Sequence, residues 1–469
     1  MGIISEAQRA FPQAKIPHEE EYYRTVIAAC AEIYKGEPPW TYVKRSGLYG
    51  KGERRMSMLG GAKVLCDSLA ALTFSSQADI YCADHRQQEL VERVLQDNGF
   101  WENMPSFFSR AYALGGGALK VFIDGDIGID YISADSFIPV GGFCGSIKEG
   151  IFRSRFYKGG EAFTLFERQG ADGSGIFTDR ALFSSRDGYL GEQIPVETMF
   201  DGLSEHSEYD ICEPLFGYFR PAGANNLSDE TMLGLSCFAN CTDTLKALDI
   251  AFDSFSREFV LGRKRIIVPS SCIRTVVDPD TGRISRYFDT DDEVYQALKC
   301  DEEKDLKISD NTCELRVSEH VDAINALLDI LCFQTGLSSG TLSFSTSGGL
   351  KTAAEVKSME TRTEITMQQN RCLAAELIES TVKSIIRCGM LCGEIPKGDI
   401  SVRVAFSDRQ TVDKGEIIDQ NVRLVSAGLK SRLSAVMAVL DCSEEDALAE
   451  IERIKKEEKA VSYTHLTLP

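Results

Sequence analysis

From Phe238 onward the apolar positions fall at Phe238, Cys241, Leu245, Leu248, Phe252, Phe255 and Phe259. The steps alternate between three and four residues, which is the spacing of a heptad seam. A second stretch, Val317, Val321, Ile324, Leu328 and Leu331, keeps the same spacing. Between the seam positions of the first stretch lie Asp243, Asp249, Asp253 and Glu258. That pattern predicts an acidic face opposite the apolar one. The residues between the two stretches, 261–316, read as strands and turns. RKRIIVP is a strand candidate, and Asp278–Gly282 (DPDTG) is a turn between VV and RISRYF. A helix therefore leaves the body, a small β-rich module follows, and a second helix returns.

The N-terminal half reads as mixed α/β. Helices are expected at Glu19–Tyr34, Met56–Leu72, Arg86–Gln96 and Asn103–Leu114. GEPPW at Gly36–Trp40 stops the first of these, because proline cannot continue a helix. Trp40 itself reads as a packed anchor. Gly115–Gly117 ends the last helix, Ala118–Ile123 follows as a strand, and short antiparallel strands with Gly-rich turns run to about Pro195. After the returning helix, Leu337–Lys351 (LSSGTLSFSTSGGLK) reads as a flexible Gly/Ser loop with Phe344 as its aromatic residue. Thr352 and Glu355 form a capping box. The helix they start is expected to run to about Cys392, with Ala374, Leu377, Ile378, Val382, Ile385 and Ile386 on its apolar face. Ile400–Phe406 alternates as a strand, and the remainder is helical with a second capping box at Ser443–Asp446. The fold class is α+β.

Composition removes several functions. The 469 residues are 43% hydrophobic, enough for sizeable cores. No apolar run reaches the roughly 18–20 residues that span a bilayer, and MGIISEAQRAF lacks the pattern of a secretion signal. Fifteen cysteines form no CxxC pair, and the five histidines are scattered. Cys237/Cys241 and Cys388/Cys392 lie in helix-like stretches where cysteine serves as a small buried hydrophobe. No metal site and no cofactor are expected, and the thiols fit a reducing compartment. The net charge of −20 argues against a conventional phosphate-neutralising DNA binder. No GxxxxGK[ST], GxSxG or HExxH occurs, so no catalytic residues are nominated and the chain is not read as an enzyme. Val461–Pro469 (VSYTHLTLP) breaks abruptly from the charged helix before it. We expect it to be translated sequencing adapter rather than native protein, with the native C-terminus missing beyond 460.

Several phrases together resemble one branch, siphophage-like, of the portal proteins of tailed bacteriophages. LKALDIAFDSFSREFVLGRKRIIVP resembles their stem-to-clip passage, and LSSGTLSF with GGLKTAAEV resembles their tunnel loop and helix. IYKGEPPW, GGAKVLCDSLAALTF, ALGGGALKVFI and PLFGYFRPAGANN are similar too, so the likeness covers roughly Ile33 to Leu440. It implies a homo-oligomeric ring of about twelve subunits at one capsid vertex, a head-tail connector assembled in the bacterial cytoplasm and carried in the virion. Residues 1–235 would be the wing, 236–260 and 317–336 the stem helices, and 261–316 the clip. Residues 337–351 would be the tunnel loop, 352–410 the tunnel helix with a strand returning to the wing, and 411–460 an incomplete helical crown.

The implied partners are double-stranded DNA in the channel, terminase, head-to-tail adaptor proteins, and the major capsid and scaffolding proteins, with no membrane. The implied channel residues are Leu342, Phe344, Ser345, Lys351 and Thr352. Stem packing falls to Phe238, Leu245, Leu248, Phe252, Phe255, Phe259, Val321, Ile324 and Leu328. Arg263, Lys264 and Arg265 either dock DNA or terminase, or guard a strand edge. Lys351 and the helix start at Thr352 either meet phosphates or are solvated. The branch is expected to carry an acidic residue near Ser345, where this chain has SFSTSGG. Two alternatives stay open: another capsid or scaffolding protein, and a terminase-type packaging enzyme.

Overall fold

The computed structural model describes residues 2–47, 50–143, 146–171, 175–186, 189–200, 202–211, 213–228, 231–261, 266–267, 274–277, 284–287, 309–310, 314–344, 353–406, 414–440 and 447–454. Two units make up the chain, Met1–Ala405 and Phe406–Pro469. The first opens with α1 (Ile3–Ala10). Then α2 (Glu20–Tyr22), a π turn at Tyr23–Ile27 and α3 (Ala28–Lys35) form the helix expected at Glu19–Tyr34. It ends at a left-handed Gly36, just before the two prolines. A hairpin follows, β1 (Tyr42–Gly47) with β2 (Gly50–Arg55), which the sequence pattern did not announce. Helix α4 (Gly61–Thr73) starts five residues later than Met56, because Gly60 takes φ 71° and breaks the pattern there. Then come β3 (Ala78–Cys82), α5 (His85–Asp97) and α6 (Phe100–Leu114). The side chain of Asp84 caps α5 by accepting from the Arg86 N–H at 2.8 Å.

Two antiparallel sheets follow. The small one has the order β12–β4–β5, with β4 at Gly117–Asp124, β5 at Asp126–Ser133 and β12 at Phe216–Phe219. The large one is a meander, β10–β9–β8–β7–β6, with β11 on the free part of β9. Its strands are β6 (Phe137–Phe143), β7 (Ser146–Lys158), β8 (Glu161–Ala171), β9 (Ile176–Arg186), β10 (Tyr189–Ile194) and β11 (His206–Tyr209). The middle strands are 11 to 13 residues long, not short. Buried positions fall in short runs along them, such as Phe163–Phe166 on β8 and Ala181–Phe183 on β9. Between α6 and β4 the chain reverses at Gly115 (φ 83°), where a Cβ would lie 2.4 Å from the Gly234 carbonyl oxygen.

The C-terminal half supplies α7 (Thr242–Leu261), the two-residue β13 (Ile266–Ile267), β14 (Arg274–Val277), β15 (Ile284–Tyr287), β16 (Ser309–Asp310) and α8 (Val317–Thr335). Val277 pairs with Ile284; the turn expected at Asp278–Gly282 lies outside the described residues. Helix α9 (Ala353–Cys392) is 40 residues long and ends where the pattern placed it. Its stripe Ala374, Leu377, Ile378, Val382, Ile385 and Ile386 is buried. The backbone of β12 comes so close that a Cβ on Gly217 would meet Leu377 at 3.0 Å. Strand β17 (Val402–Phe406) pairs with β3. The second unit carries α10 (Lys414–Ser426) and α11 (Arg432–Leu440), in which Lys430 Nζ donates to Asn421 Oδ1 at 2.8 Å. The capping box at Ser443–Asp446 and the segment Val461–Pro469 lie outside the described residues.

One ionic group joins the two sheets. Lys120 on β4 is buried, pairs with Glu167 on β8, and lies 3.7 Å from Asp130. Arg180 Nε reaches the other Glu167 oxygen at 3.3 Å. Burial alone would raise the Glu167 pKa, but Lys120 and Arg180 overcome it and hold the carboxyl below its ordinary value. Its stabilisation is therefore present at neutral pH and lost as pH falls through that lowered value. We expect Lys120→Met to cost about 3–5 kcal/mol in urea unfolding at pH 7, because it strands a buried carboxylate. The double variant Lys120→Met/Glu167→Leu is expected to recover most of that loss, and a double variant as unstable as the single would refute the account.

Candidate functional site

Helices α7 and α8 form an antiparallel hairpin whose register can be read from its contacts. Thr244 Oγ1 donates to Gln334 Oε1 at 2.8 Å near one end. Arg316 forks onto Glu258 at 3.1 and 3.0 Å near the other. The apolar seam joins them as the heptad spacing predicted, but its burial is graded. Phe238, Leu245 and Leu248 are buried on the first helix and its lead-in, and Ile324 and Leu328 on the second. Phe252, Phe255 and Val321 are half-buried, and Phe259 is 46% exposed. Edge-on contacts of Phe255 with Phe259 (5.1 Å between centroids) and Phe344 (6.4 Å) cover only part of that outer end.

The expected acidic face of α7 is not what forms. Asp249 and Asp253 are buried, turned toward the N-terminal segment. Arg54, at the base of the β1–β2 hairpin, grips Asp253 with both Nη atoms at 2.6 and 2.5 Å. The Ser57 N–H adds a bond of 3.0 Å to the same carboxylate. Asp249 accepts from Trp40 Nε1 at 2.9 Å and from the Leu59 N–H at 3.0 Å. Trp40 is thus the packed anchor its context suggested. The Arg54 hydrogen bonds hold the Asp253 pKa below the ordinary value. Burial pushes Asp249 the other way, only partly offset by its two donors. Spacing at i, i+4 put both carboxylates on one helix face, but periodicity alone does not say whether water or another segment covers it.

The first half of the loop after α8 is likewise held. The Ser338 N–H donates to Thr363 Oγ1 at 2.8 Å on α9, and the Thr363 N–H donates back to Ser338 Oγ at 3.2 Å. The Gly340 N–H reaches Asp329 at 2.8 Å and the Phe344 N–H reaches Asn325 at 2.9 Å. Leu342 is buried and Phe344 is exposed beside the hairpin. Residues 337–344 are thus fastened to two helices, contrary to the flexible loop that their glycine and serine content suggested. Ser345, Lys351 and Thr352, and also Arg263, Lys264 and Arg265, lie outside the described residues. Sequence spacing also missed a thiol contact: Cys66 Sγ and Cys237 Sγ sit 3.6 Å apart. No group of three or more metal-ligating side chains converges among the described residues.

Among the described residues the outer end of the seam is therefore only partly covered. Residues 178–463, more than half of the chain, match the family model "Phage portal protein, SPP1 Gp6-like". The chain belongs to that family of portal proteins, whose members are structural components of the connector between head and tail. No curated protein matches it. Solved structures similar to it include a chain from the "Neck of native GTA particle computed with C12 symmetry", at 11% identity and TM-score 0.43, covering 93% of this chain and 98% of that one. Another, from the "Virion of native gene transfer agent (GTA) particle", has 9% identity and TM-score 0.40, covering 81% of this chain and 88% of that one.

The two aspartates have opposite pH signatures. Asp253, with its lowered pKa, contributes stability above the ordinary carboxylate value and loses it as pH falls through the lowered one. Asp253→Asn is expected to cost about 1.5–3 kcal/mol at pH 7 and to flatten the decline toward acid. Urea midpoints of both proteins at pH 7 and pH 4 check this, and parallel declines would refute it.

Proposed function

We propose that this chain is one subunit of a ring of about twelve copies at a single vertex of a phage capsid, forming the channel through which double-stranded DNA is packaged and ejected. Membership of the portal family, together with the uncovered outer end of the α7–α8 hairpin, supports this reading. Residues 1–235 serve as the wing, set against the major capsid and scaffolding proteins. Residues 236–260 and 317–336 are the stem. Residues 261–316 form the clip that docks terminase and later the head-to-tail adaptor proteins, with Arg263, Lys264 and Arg265 as its cationic contacts. Residues 337–351 and the start of α9 lie nearest the DNA, the helix N-terminus offering free N–H groups to phosphate. The ring assembles in the host cytoplasm and stays in the virion. The reading gives the chain no catalytic step.

Charge fits the role. A wall of the same sign as the phosphates gives DNA no deep binding minimum, and screening over about 8–10 Å leaves that repulsion effective in a narrow channel. Asp249 and Asp253 do not contribute to such a wall, being buried, whereas Asp243 is exposed on the stem. The test is the native mass and negative-stain image of the purified protein. Closed rings with an axial hole of roughly 20 Å or more are expected, since the duplex major groove alone is about 12 Å wide. A monomer that persists at high concentration and at every salt would overturn the proposal.

A further inference from the structure

The β1–β2 hairpin is the one strongly basic segment that the account above leaves without a task. Residues 42–55 hold five Lys or Arg and one Glu, a net charge of +4 in a chain of net charge −20. The strands pair with each other and with no third strand among the described residues. A two-stranded hairpin alone is marginally stable in water, and this one is fastened at its base. Thr41 and Met56 are buried, the Met56 N–H donates to the Thr41 carbonyl at 2.8 Å, and Arg54 grips Asp253. Beyond the base, Tyr42 is 61% exposed, and Val43, Lys44 and Arg55 are exposed too.

The hairpin and α8 lie on opposite flanks of α7. Asp253, which holds the hairpin, is nine residues from Thr244, which touches α8; Asp249 is nine residues from Glu258, which also touches α8. Nine residues are about two and a half turns, hence a half-turn around the helix. The face of α8 turned away from α7 carries Glu319, Asp322, Ile330 and Phe333, all exposed, Phe333 at 68%. From the α7–α8 register, Asp322 lies level with Asp253. One flank of the stem therefore presents Lys44 and Arg55 beside the exposed Tyr42, on the hairpin face opposite Val43 and Arg54; the other presents Glu319 and Asp322, with the exposed Phe333 carrying Arg362 4.6 Å over its ring.

We propose that the β1–β2 hairpin docks on the outer face of α8 of the neighbouring copy of this chain, Lys44 and Arg55 meeting the neighbour's carboxylates at Glu319 and Asp322. Rotational symmetry requires a head-to-tail contact between two different surfaces of the same subunit. When the ring axis runs along the stem, features at one level meet at that level. The inference rests on the ring assignment above. Duplex DNA is the other polyanion such a hairpin could bind. The tether at Arg54–Asp253 favours the neighbour, because it fixes the hairpin at the level of Asp322 along the stem.

The full-length protein and its charge variants decide the matter. Lys44→Glu/Arg55→Glu is expected to raise the concentration needed for rings about tenfold at low salt, the difference shrinking as salt rises. Glu319→Lys/Asp322→Lys should do the same alone, and combining the four changes should restore rings, which also shows that the variants fold. Rings from Lys44→Glu/Arg55→Glu at the wild-type concentration, or no rescue in the combination, would overturn the proposal. So would unchanged assembly together with lost binding to a short duplex in an anisotropy titration, which would assign the hairpin to DNA. Wild-type protein that forms no ring overturns the ring assignment itself, and the docking falls with it; failure of the docking alone leaves wild-type rings intact.

Discussion

Burial of the apolar stripe on the second half of α9 holds the first unit together. Leu377, Ile378, Val382, Ile385 and Ile386 are all shielded from water, and each such side chain contributes about 1.5–3 kcal/mol. The stripe lies against β12, whose Gly217 lets the backbone approach, and Ser380 Oγ donates to the Phe216 carbonyl at 3.3 Å. The same helix reaches α4 through Arg371, which is buried and donates to the Thr73 carbonyl at 3.2 Å and to Ser75 Oγ at 2.5 Å. An α-helix end leaves carbonyls without partners, and a long helix from far along the chain supplies the donor here.

The stem depends on that body in a graded way. Near the body its seam is core, with Leu245 and Leu248 close to Gly61 of α4. Farther out the seam is only half covered, since one antiparallel partner cannot enclose aromatic residues as large as Phe255 and Phe259. The Asp249 and Asp253 contacts brace this outgoing helix from the side. A charged pair with a bidentate Arg is directional in a way that apolar packing is not, so it sets where along α7 the N-terminal segment attaches. The chain thus uses apolar area to attach the stem and a small number of polar bonds to orient it.

Much of the fold was legible in the sequence because periodicity reports burial directly. The heptad steps located α7 and α8, the Thr352–Glu355 box and the stripe from Ala374 located α9, alternation located β17, and Gly-rich turns marked the antiparallel strands before Pro195. Boundaries slipped where one glycine decided them, as at Gly60. The β1–β2 hairpin escaped because YVKRSGLYGKGERR has too few apolar residues to show a period of two. Phe344 beside the hairpin, and the fastening of residues 337–344, were also hidden: Ser338 and Thr363 are 25 residues apart, and composition says nothing about such a pair.

What the chain determines by itself is local: which residues favour a helix or strand, which faces are apolar, and how much charge it carries. Those preferences, with the family phrases, were enough to name a structural protein of the portal type. Tertiary structure alone decided where the charges go. Asp249 and Asp253 belong by spacing to a polar helix face, yet they end buried because Trp40 and Arg54, about 200 residues earlier, bring donors that repay their loss of water. A helix period gives the direction in which a side chain points, and only the packed fold shows what stands there.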